Sequence, residues 1–294
     1  MKIIIPMSGL GKRFKDASYS TPKPLITVMG KPIIAHMVAM FQGDHEFIFI
    51  CNKQHLAETA MSEIILSIAP LARIIMIDTH DKGPVYATSF AIPYIEDHED
   101  VLISYCDYAM EFDLVDMIKK VNEGNFVGAV PSYTGFHPHL LHKKLYGGIL
   151  TNGNGLMLDY KEKHSFTEDP SDCHHSAGAY YFRRGEDLKK YHKQLTTSDI
   201  MINGEQYTSM LYYLCLKDGE KVYVPEVSRF MQWGTPEDFE EFEAWYRYFS
   251  KKFNLLKLET YIPKEREHFI LPLYDEKSPL FNKCYTYWES YFIR

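Results

Sequence analysis

Lys2-Ile3-Ile4-Ile5-Pro6-Met7-Ser8-Gly9-Leu10-Gly11-Lys12-Arg13-Phe14 sets an apolar run directly against a glycine-rich, cationic loop. The run from Lys2 to Pro6 is short and continuously apolar, the pattern of a strand buried on both faces of a parallel sheet. The same kind of run returns at Phe47 to Cys51, Arg73 to Ile77, Val101 to Tyr105 and Phe126 to Pro131. Between them lie stretches of helical length: Ile33 to Phe41, His55 to Ala69, Pro84 to Ile95 and Leu114 to Asn122. Pro93 bends or ends the third of these. Such alternation specifies an α/β fold with a mostly parallel central sheet flanked by helices. Right-handed crossovers put the loops that follow the strands on one edge, and ligands of such sheets bind there. The loop after the first strand and the Cys106-Asp107 turn after the fourth are expected to open on that edge.

The second half is less regular. Tyr146 to Leu150 and Gly155 to Tyr160 read as a hairpin around Asn152-Gly153-Asn154-Gly155. Ala179 to Phe182 and Lys221 to Pro225 read as strands, and Glu205 to Lys217 as a helix. Pro236 to Lys252 is a long helix entered through Thr235 as N-cap, with Pro236 in the first helical position. From residue 251 to residue 294 the pattern weakens into Tyr, Phe, Pro and charge, read as an appendage that wraps the domain or meets a partner. The chain closes abruptly on Tyr291-Phe292-Ile293-Arg294, which leaves room for a cut from something longer.

A chain of 294 residues with 46% apolar and 24% charged residues buries a substantial core without staples. Its net charge of −7 argues against a nucleic-acid binder, which carries a basic face. The aromatic share of 15% supplies flat faces with polar tips, suited to sugar or base contacts as well as to packing. Five scattered cysteines without a CxxC pair point to reduced thiols. No apolar run is long enough for a signal core or a membrane span. The expectation is a cytoplasmic protein without membrane association.

The positive charge concentrates locally. Gly9 and Gly11 let backbone N–H groups approach an anion. Lys12 and Arg13 follow, and Lys23 stands between Pro22 and Pro24, which restrict its backbone. In an acidic protein this is a phosphate trap. It is not a Walker loop, because no Gly-Lys-Ser/Thr follows. It is not a dinucleotide fingerprint either, because Phe14 occupies the place of the third glycine.

IIPMSGLGKRF followed by TPKPLITVMGKPII resembles the opening of the sugar-phosphate nucleotidyltransferases, enzymes with a Rossmann-like core, and the likeness extends with decreasing clarity to about Trp245. The resemblance implies a nucleotidyltransferase domain over residues 1–250, with a nucleotide-binding half at 1–131 and a smaller acceptor-binding half at 132–250. It implies nucleotide contacts from Gly9, Leu10, Gly11, Lys12 and Gly83. Arg13 would stabilise the pyrophosphate leaving group, Lys23 would approach the α-phosphate, and Asp107 would bind Mg2+. On the acceptor side Gly147 and Gly178 would face the sugar, Glu162 would accept from its hydroxyls, and Lys163 would hold its phosphate. The implied partners are CTP, dTTP or GTP and a small phosphorylated acceptor; the oligomeric state stays open, with a homo-oligomer as one option. The implied product is a nucleotide-activated sugar for surface polysaccharide synthesis.

One position departs from the pattern. Gln232 in Gln232-Trp233-Gly234-Thr235-Pro236-Glu237-Asp238 stands where many members have a second metal-binding aspartate. A neutral carbonyl is a weaker Mg2+ ligand, so Asp107 would act with phosphates and water, or with Glu226 or Asp238. His137, His139, His142, His174 and His175 lack zinc spacing and are expected in loop or substrate contacts. Two alternatives remain open: a cytidylyltransferase acting on a phospho-amino-alcohol or phosphonate, and a non-catalytic module that binds nucleotide sugars.

Overall fold

The computed structural model describes residues 1–142, 146–255, 258–266 and 276–293. Strand β1 (Lys2–Met7) leads into helix α1 (Lys12–Asp16) and a hairpin of β2 (Thr27–Val28) and β3 (Lys31–Pro32). Then come α2 (Ile33–Ala39), β4 (Glu46–Asn52), α3 (Lys53–Glu58), α4 (Met61–Ile68), β5 (Arg73–Ile77), α5 (Pro84–Ser89) and β6 (Val101–Ser104). The middle of the chain holds β7 (Tyr108–Glu111), α6 (Leu114–Glu123), β8 (Gly128–Ala129), β9 (Ser132–Tyr133), β10 (Gly148–Thr151), β11 (Met157–Lys161), β12 (His174–Ser176) and β13 (Ala179–Phe182). The last part is α7 (Gly185–Thr196), α8 (Ser209–Lys217), β14 (Val222–Tyr223), β15 (Arg229–Gln232), α9 (Pro236–Phe253) and α10 (Pro279–Phe292).

Seven strands form the central sheet in the order β14-β8-β13-β6-β1-β4-β5. β1 pairs in parallel with both β4 and β6, β4 with β5, and β14 with β8. β13 runs antiparallel between β6 and β8. The apolar runs of the sequence work as expected: alternate residues of one strand feed opposite faces. Ile3 and Ile5 meet Met37 of α2, Ile65 of α4 and Met117 of α6 on one face. Ile4 meets Val85 of α5, Leu188 of α7 and Leu211 of α8 on the other. A four-stranded sheet, β11-β10-β12-β9, and a two-stranded sheet, β7 with β15, flank the edge where β1 and β6 end.

Four local readings change. The helix expected over Pro84 to Ile95 ends at Ser89, and a separate 3-10 turn follows at Ile92–Tyr94. The stretch His55 to Ala69 is two helices, because Thr59 breaks it. Its hydroxyl donates to the His55 carbonyl at 2.6 Å and accepts from the Met61 N–H at 3.3 Å, so the side chain ends one helix and starts the next. The strand at Phe126 to Pro131 is cut short at Ala129, and the chain passes from the central sheet to the four-stranded one across Pro131, which has no N–H for a ladder. The helix expected from Glu205 begins only at Ser209.

A third apolar cluster lies beside the sheet. Phe14, Tyr19, Ile26 and Trp233 pack with Phe239, Phe242, Trp245 and Phe249 of α9 and with Phe281 and Trp288 of α10. Thr235 caps α9 as expected, accepting from the Asp238 N–H. All five cysteines are buried free thiols. No described helix is long and apolar enough to cross a membrane.

Candidate active site

The loop after β1 and the turn after β6 do meet. Pro22 and Pro24 bracket a single 3-10 turn, Lys23–Leu25, in which the Leu25 N–H donates to the Pro22 carbonyl at 2.8 Å. That turn aims Lys23 at Asp107, and the Nζ to Oδ2 distance is 2.8 Å. Asp107 is fixed from behind, since its carbonyl accepts from the Trp233 N–H at 2.8 Å. Both side chains keep about a quarter of their exposure, 22% and 27%. Burial pulls the Lys23 ammonium toward neutrality, but Asp107, with Cys106, outweighs it and holds Lys23 above the ordinary lysine range.

A cavity of about 870 Å3 opens beside this pair, and Arg13, Asp107, Gly147, Glu162, Lys163 and Gly178 all line it. Glu162 accepts from the Ser209 hydroxyl at 2.7 Å. Burial raises the Glu162 carboxyl above its usual range, opposed by that hydrogen bond and by Lys163. Lys163 follows in the left-handed region at φ 53°, with its Nζ 5.5 Å from the Tyr207 ring. Gly147 is a glycine for lack of room: a Cβ there would stand 2.5 Å from the Tyr160 ring. Gly178 sits at φ +88°, with Tyr108 closing on it. Tyr105, Tyr180 and Tyr207 supply an aromatic wall.

Gly9, Leu10, Gly11, Lys12 and Gly83 stand outside the lining of that cavity. The first four form the exposed turn from β1 into α1, with Gly11 at φ 62° as its N-cap. Among the described residues, the backbone N–H groups from Gly9 to Arg13 donate to no backbone carbonyl. The turn is anchored through Ser8: its carbonyl accepts from Asn52 Nδ2 at 3.1 Å, and its hydroxyl lies 2.8 Å from His80 Nε2. Asn52 also accepts from the Gln54 N–H at 2.8 Å, capping α3. The anchor escaped the sequence reading, although an Asn between a buried strand and a helix is a capping signal. Gly83, at φ +86°, packs against the backbone of Gln206, where a Cβ would come within 2.7 Å of the carbonyl oxygen. The Gln206 N–H donates to the Lys82 carbonyl and the Val85 N–H donates to the Gln206 carbonyl, both at 3.2 Å.

Gln232 reaches the place the motif predicts. β15 pairs Gln232 with Tyr108 beside Asp107. A Cβ on Gly234 would stand 2.9 Å from Gln232 Nε2 and 3.2 Å from Asp107 Oδ2, so both side chains converge on that glycine. No group of three or more His, Cys, Asp or Glu able to hold a metal occurs among the described residues. This donor set of one carboxylate and one amide fits a hard cation that brings phosphate oxygens and water as most of its ligands. Glu226 and Asp238 do not add to it. Glu226 accepts from the Thr134 hydroxyl, and Asp238 is buried in the first turn of α9, accepting from the Thr235 hydroxyl at 2.8 Å.

Among the described residues no histidine lines the cavity, and the side chain of His142 lies outside them. His137 and His139 are buried, with His137 2.9 Å from the Tyr287 hydroxyl and His139 2.8 Å from that of Tyr133. Tyr133 stacks on Phe230 at 4.3 Å, so this layer backs the cavity from behind. Arg266 also lines the cavity. No local signal marks it, because the residues that place it lie far away in the sequence.

The family model described as Nucleotidyl transferase matches residues 2–242. A glucose-1-phosphate cytidylyltransferase of Salmonella typhimurium is 26% identical over 137 residues, 39% of this chain and 53% of that protein. A UTP–glucose-1-phosphate uridylyltransferase of Synechocystis is 23% identical over 193 residues, 62% of this chain and 49% of that protein. The chain thus spans about half the length of these curated relatives. Among solved structures, a nucleoside-diphosphate-sugar pyrophosphorylase from Vibrio cholerae RC9 superposes with a TM-score of 0.66 at 19% identity, over 81% of this chain and 97% of that one. The inositol-1-phosphate CTP transferase from T. maritima superposes with a TM-score of 0.59 at 16% identity, over 81% and 90%. At these identities the two structures speak for the fold.

Proposed function

The chain belongs to the nucleotidyl transferase family, and on that premise we propose that it transfers the nucleotidyl group of an NTP to a sugar phosphate and releases pyrophosphate. The observation that carries this reading is the convergence of Arg13, Asp107 and Lys163 on one cavity, with Lys23 bonded to Asp107 at its edge. The names of the cytidylyl and uridylyl relatives favour a pyrimidine nucleotide, and they add UTP to the nucleotides expected from sequence.

In the proposed reaction an oxygen of the acceptor phosphate attacks the α-phosphorus. The new P–O bond forms as the bond to the β-phosphate oxygen breaks, and pyrophosphate takes the electron pair. The attacking oxygen is already an anion, so no base is required; the work is positioning and charge neutralisation. Asp107, with Gln232 beside it, would hold Mg2+, which when bound would neutralise charge on the phosphate oxygens. Lys23 screens the α-phosphate, Lys163 holds the acceptor phosphate, and Arg13 meets the charge that grows on pyrophosphate. Glu162, held by Ser209, accepts from acceptor hydroxyls, with Gly147 and Gly178 leaving room for the ring. Gly9, Leu10, Gly11 and Lys12 carry the triphosphate on backbone N–H groups and charge, and Gly83 faces the base. The product is a nucleotide-activated sugar of the kind consumed in surface polysaccharide synthesis in the cytoplasm.

A phospho-amino-alcohol acceptor is the second reading, favoured by tyrosine faces and the Glu162 carboxylate on one wall, which suit a cation. Pyrophosphate release assayed over UTP, CTP, dTTP and GTP against hexose-1-phosphates and phosphocholine separates the two. Turnover with a hexose-1-phosphate is expected. Binding without turnover for every pair would leave only a non-catalytic module.

A further inference from the structure

Residues 258–266 lie beyond the region matched by the family and yet fold back onto the hairpin of β2 and β3. The Gly30 N–H donates to the Glu259 carbonyl at 2.6 Å, the Met29 N–H to the Thr260 hydroxyl at 3.0 Å, and the Tyr261 N–H to the Thr27 carbonyl at 3.0 Å. The Leu258 N–H donates to the Tyr246 hydroxyl at 2.7 Å, which ties the same strap to α9. At its end Arg266 forks onto Glu240, with Nε 2.7 Å from Oε1 and Nη2 2.8 Å from Oε2. Glu240 also accepts from the Tyr19 hydroxyl at 3.1 Å, and its side chain is only 5% exposed. A buried carboxylate gripped by a planar fork and a tyrosine holds the guanidinium in one orientation.

That orientation puts Arg266 in the lining of the cavity together with Arg13, Asp16, Thr235 and Glu237, and Glu237 acts on its charge. Tyr19, which meets the Arg266–Glu240 pair, packs its ring 5.1 Å from Phe14, the neighbour of Arg13. The groups read as acceptor contacts, Gly147, Glu162, Lys163 and Gly178, come from other elements. Asp16 and Glu237 repel an anion beside them, so a polyphosphate seated there requires more than one cation. We propose that Arg266 is a second cation for the pyrophosphate portion of the NTP, delivered to the site by the segment after α9. The proposal rests on nucleotidyl transfer and adds a binding group that family-matched residues do not contain.

Calorimetric titration of inorganic pyrophosphate into the full chain in Mg2+ buffer tests it. Arg266→Gln is expected to weaken pyrophosphate about tenfold or more, the loss typical of a hydrogen-bonded charge. Arg266→Lys should lose less, and acceptor phosphate binding should stay within about twofold in both. If Arg266→Gln melts early, Arg266→Lys is the variant read. Unchanged pyrophosphate affinity in a folded variant, a loss confined to the acceptor, or no pyrophosphate binding by the wild type would each overturn the assignment. Turnover in the wild type together with unchanged pyrophosphate affinity in the variants removes Arg266 alone. Absence of turnover with every substrate pair removes the proposed activity whatever the titration shows.

Discussion

Lys23 and Asp107 are 84 positions apart in sequence and share a bond of 2.8 Å. With about a quarter of each side chain open to water, a pair of this kind adds little to stability, typically under about 1 kcal/mol. Under the proposed reaction its value is electrostatic preorganisation next to the cavity. Lys23→Met and Asp107→Asn are each expected to lower kcat/KM by about a hundredfold to a thousandfold, with melting temperatures within a few degrees of the wild type. Steady-state kinetics and a thermal melt decide this, and a loss below about tenfold would remove the residue from the chemistry. Both residues were legible because local grammar announces them: prolines around a lysine, and an aspartate directly after a buried strand. Gly83 was legible as a glycine, but its close contact with Gln206 was not, because nothing near either residue in sequence links them. Arg266 was invisible for the same reason.

The elements of the first half were legible where strands are buried on both faces, since continuous apolar runs leave few alternatives. Helix α10 was not read, although Ser278 caps it, Pro279 opens it, and Phe281, Tyr285, Trp288 and Phe292 recur at helical spacing. Tyr287 and Tyr291 blur that stripe, and they are used on another side. The Tyr287 and Tyr291 hydroxyls donate to the Phe230 carbonyl at 2.8 and 2.5 Å, and the Phe230 N–H lies 2.8 Å from the Tyr291 oxygen. The helix thereby satisfies the outer edge of β15, the strand that carries Gln232 toward Asp107. Deleting residues 279–294 would uncover Phe242, Trp245 and Phe249 of α9. At about 1.5–3 kcal/mol for each large apolar side chain, melting should fall by about 10 °C or more, with activity lost in parallel. A truncated chain with wild-type melting and turnover would show that α10 supports nothing in the site.

At the scale of the whole molecule, buried histidines set the response to acid. Burial holds His36, His55, His80, His137, His174, His175 and His192 below the ordinary imidazole range, and His137 is pushed down to about 4. A base with a depressed folded pKa binds fewer protons folded than unfolded. Its contribution is therefore complete above the unfolded value of about 6.5 and is lost as pH falls toward the folded one. Urea midpoints are expected to drop steeply between about pH 7 and about pH 5, and His137→Gln should make the slope shallower by up to about one proton. A midpoint that stays level across that range would contradict the burial of these rings.

Gln206 ties two regions that sequence keeps apart. Its peptide groups clasp the Lys82 to Val85 loop, and three residues later Ser209 holds Glu162. Under the proposed function, whatever loosens one end of that strut is expected to slacken the other, so that nucleotide and acceptor binding change together. Gly83→Ala, which wedges a methyl into the clasp, should raise KM for both substrates together, and two separate titrations in which only the nucleotide responds would show that the strut transmits nothing. If both KM values rise together, the two substrates share one mechanical hinge pin, and a lineage changing its base preference would have to retune its sugar grip in the same step.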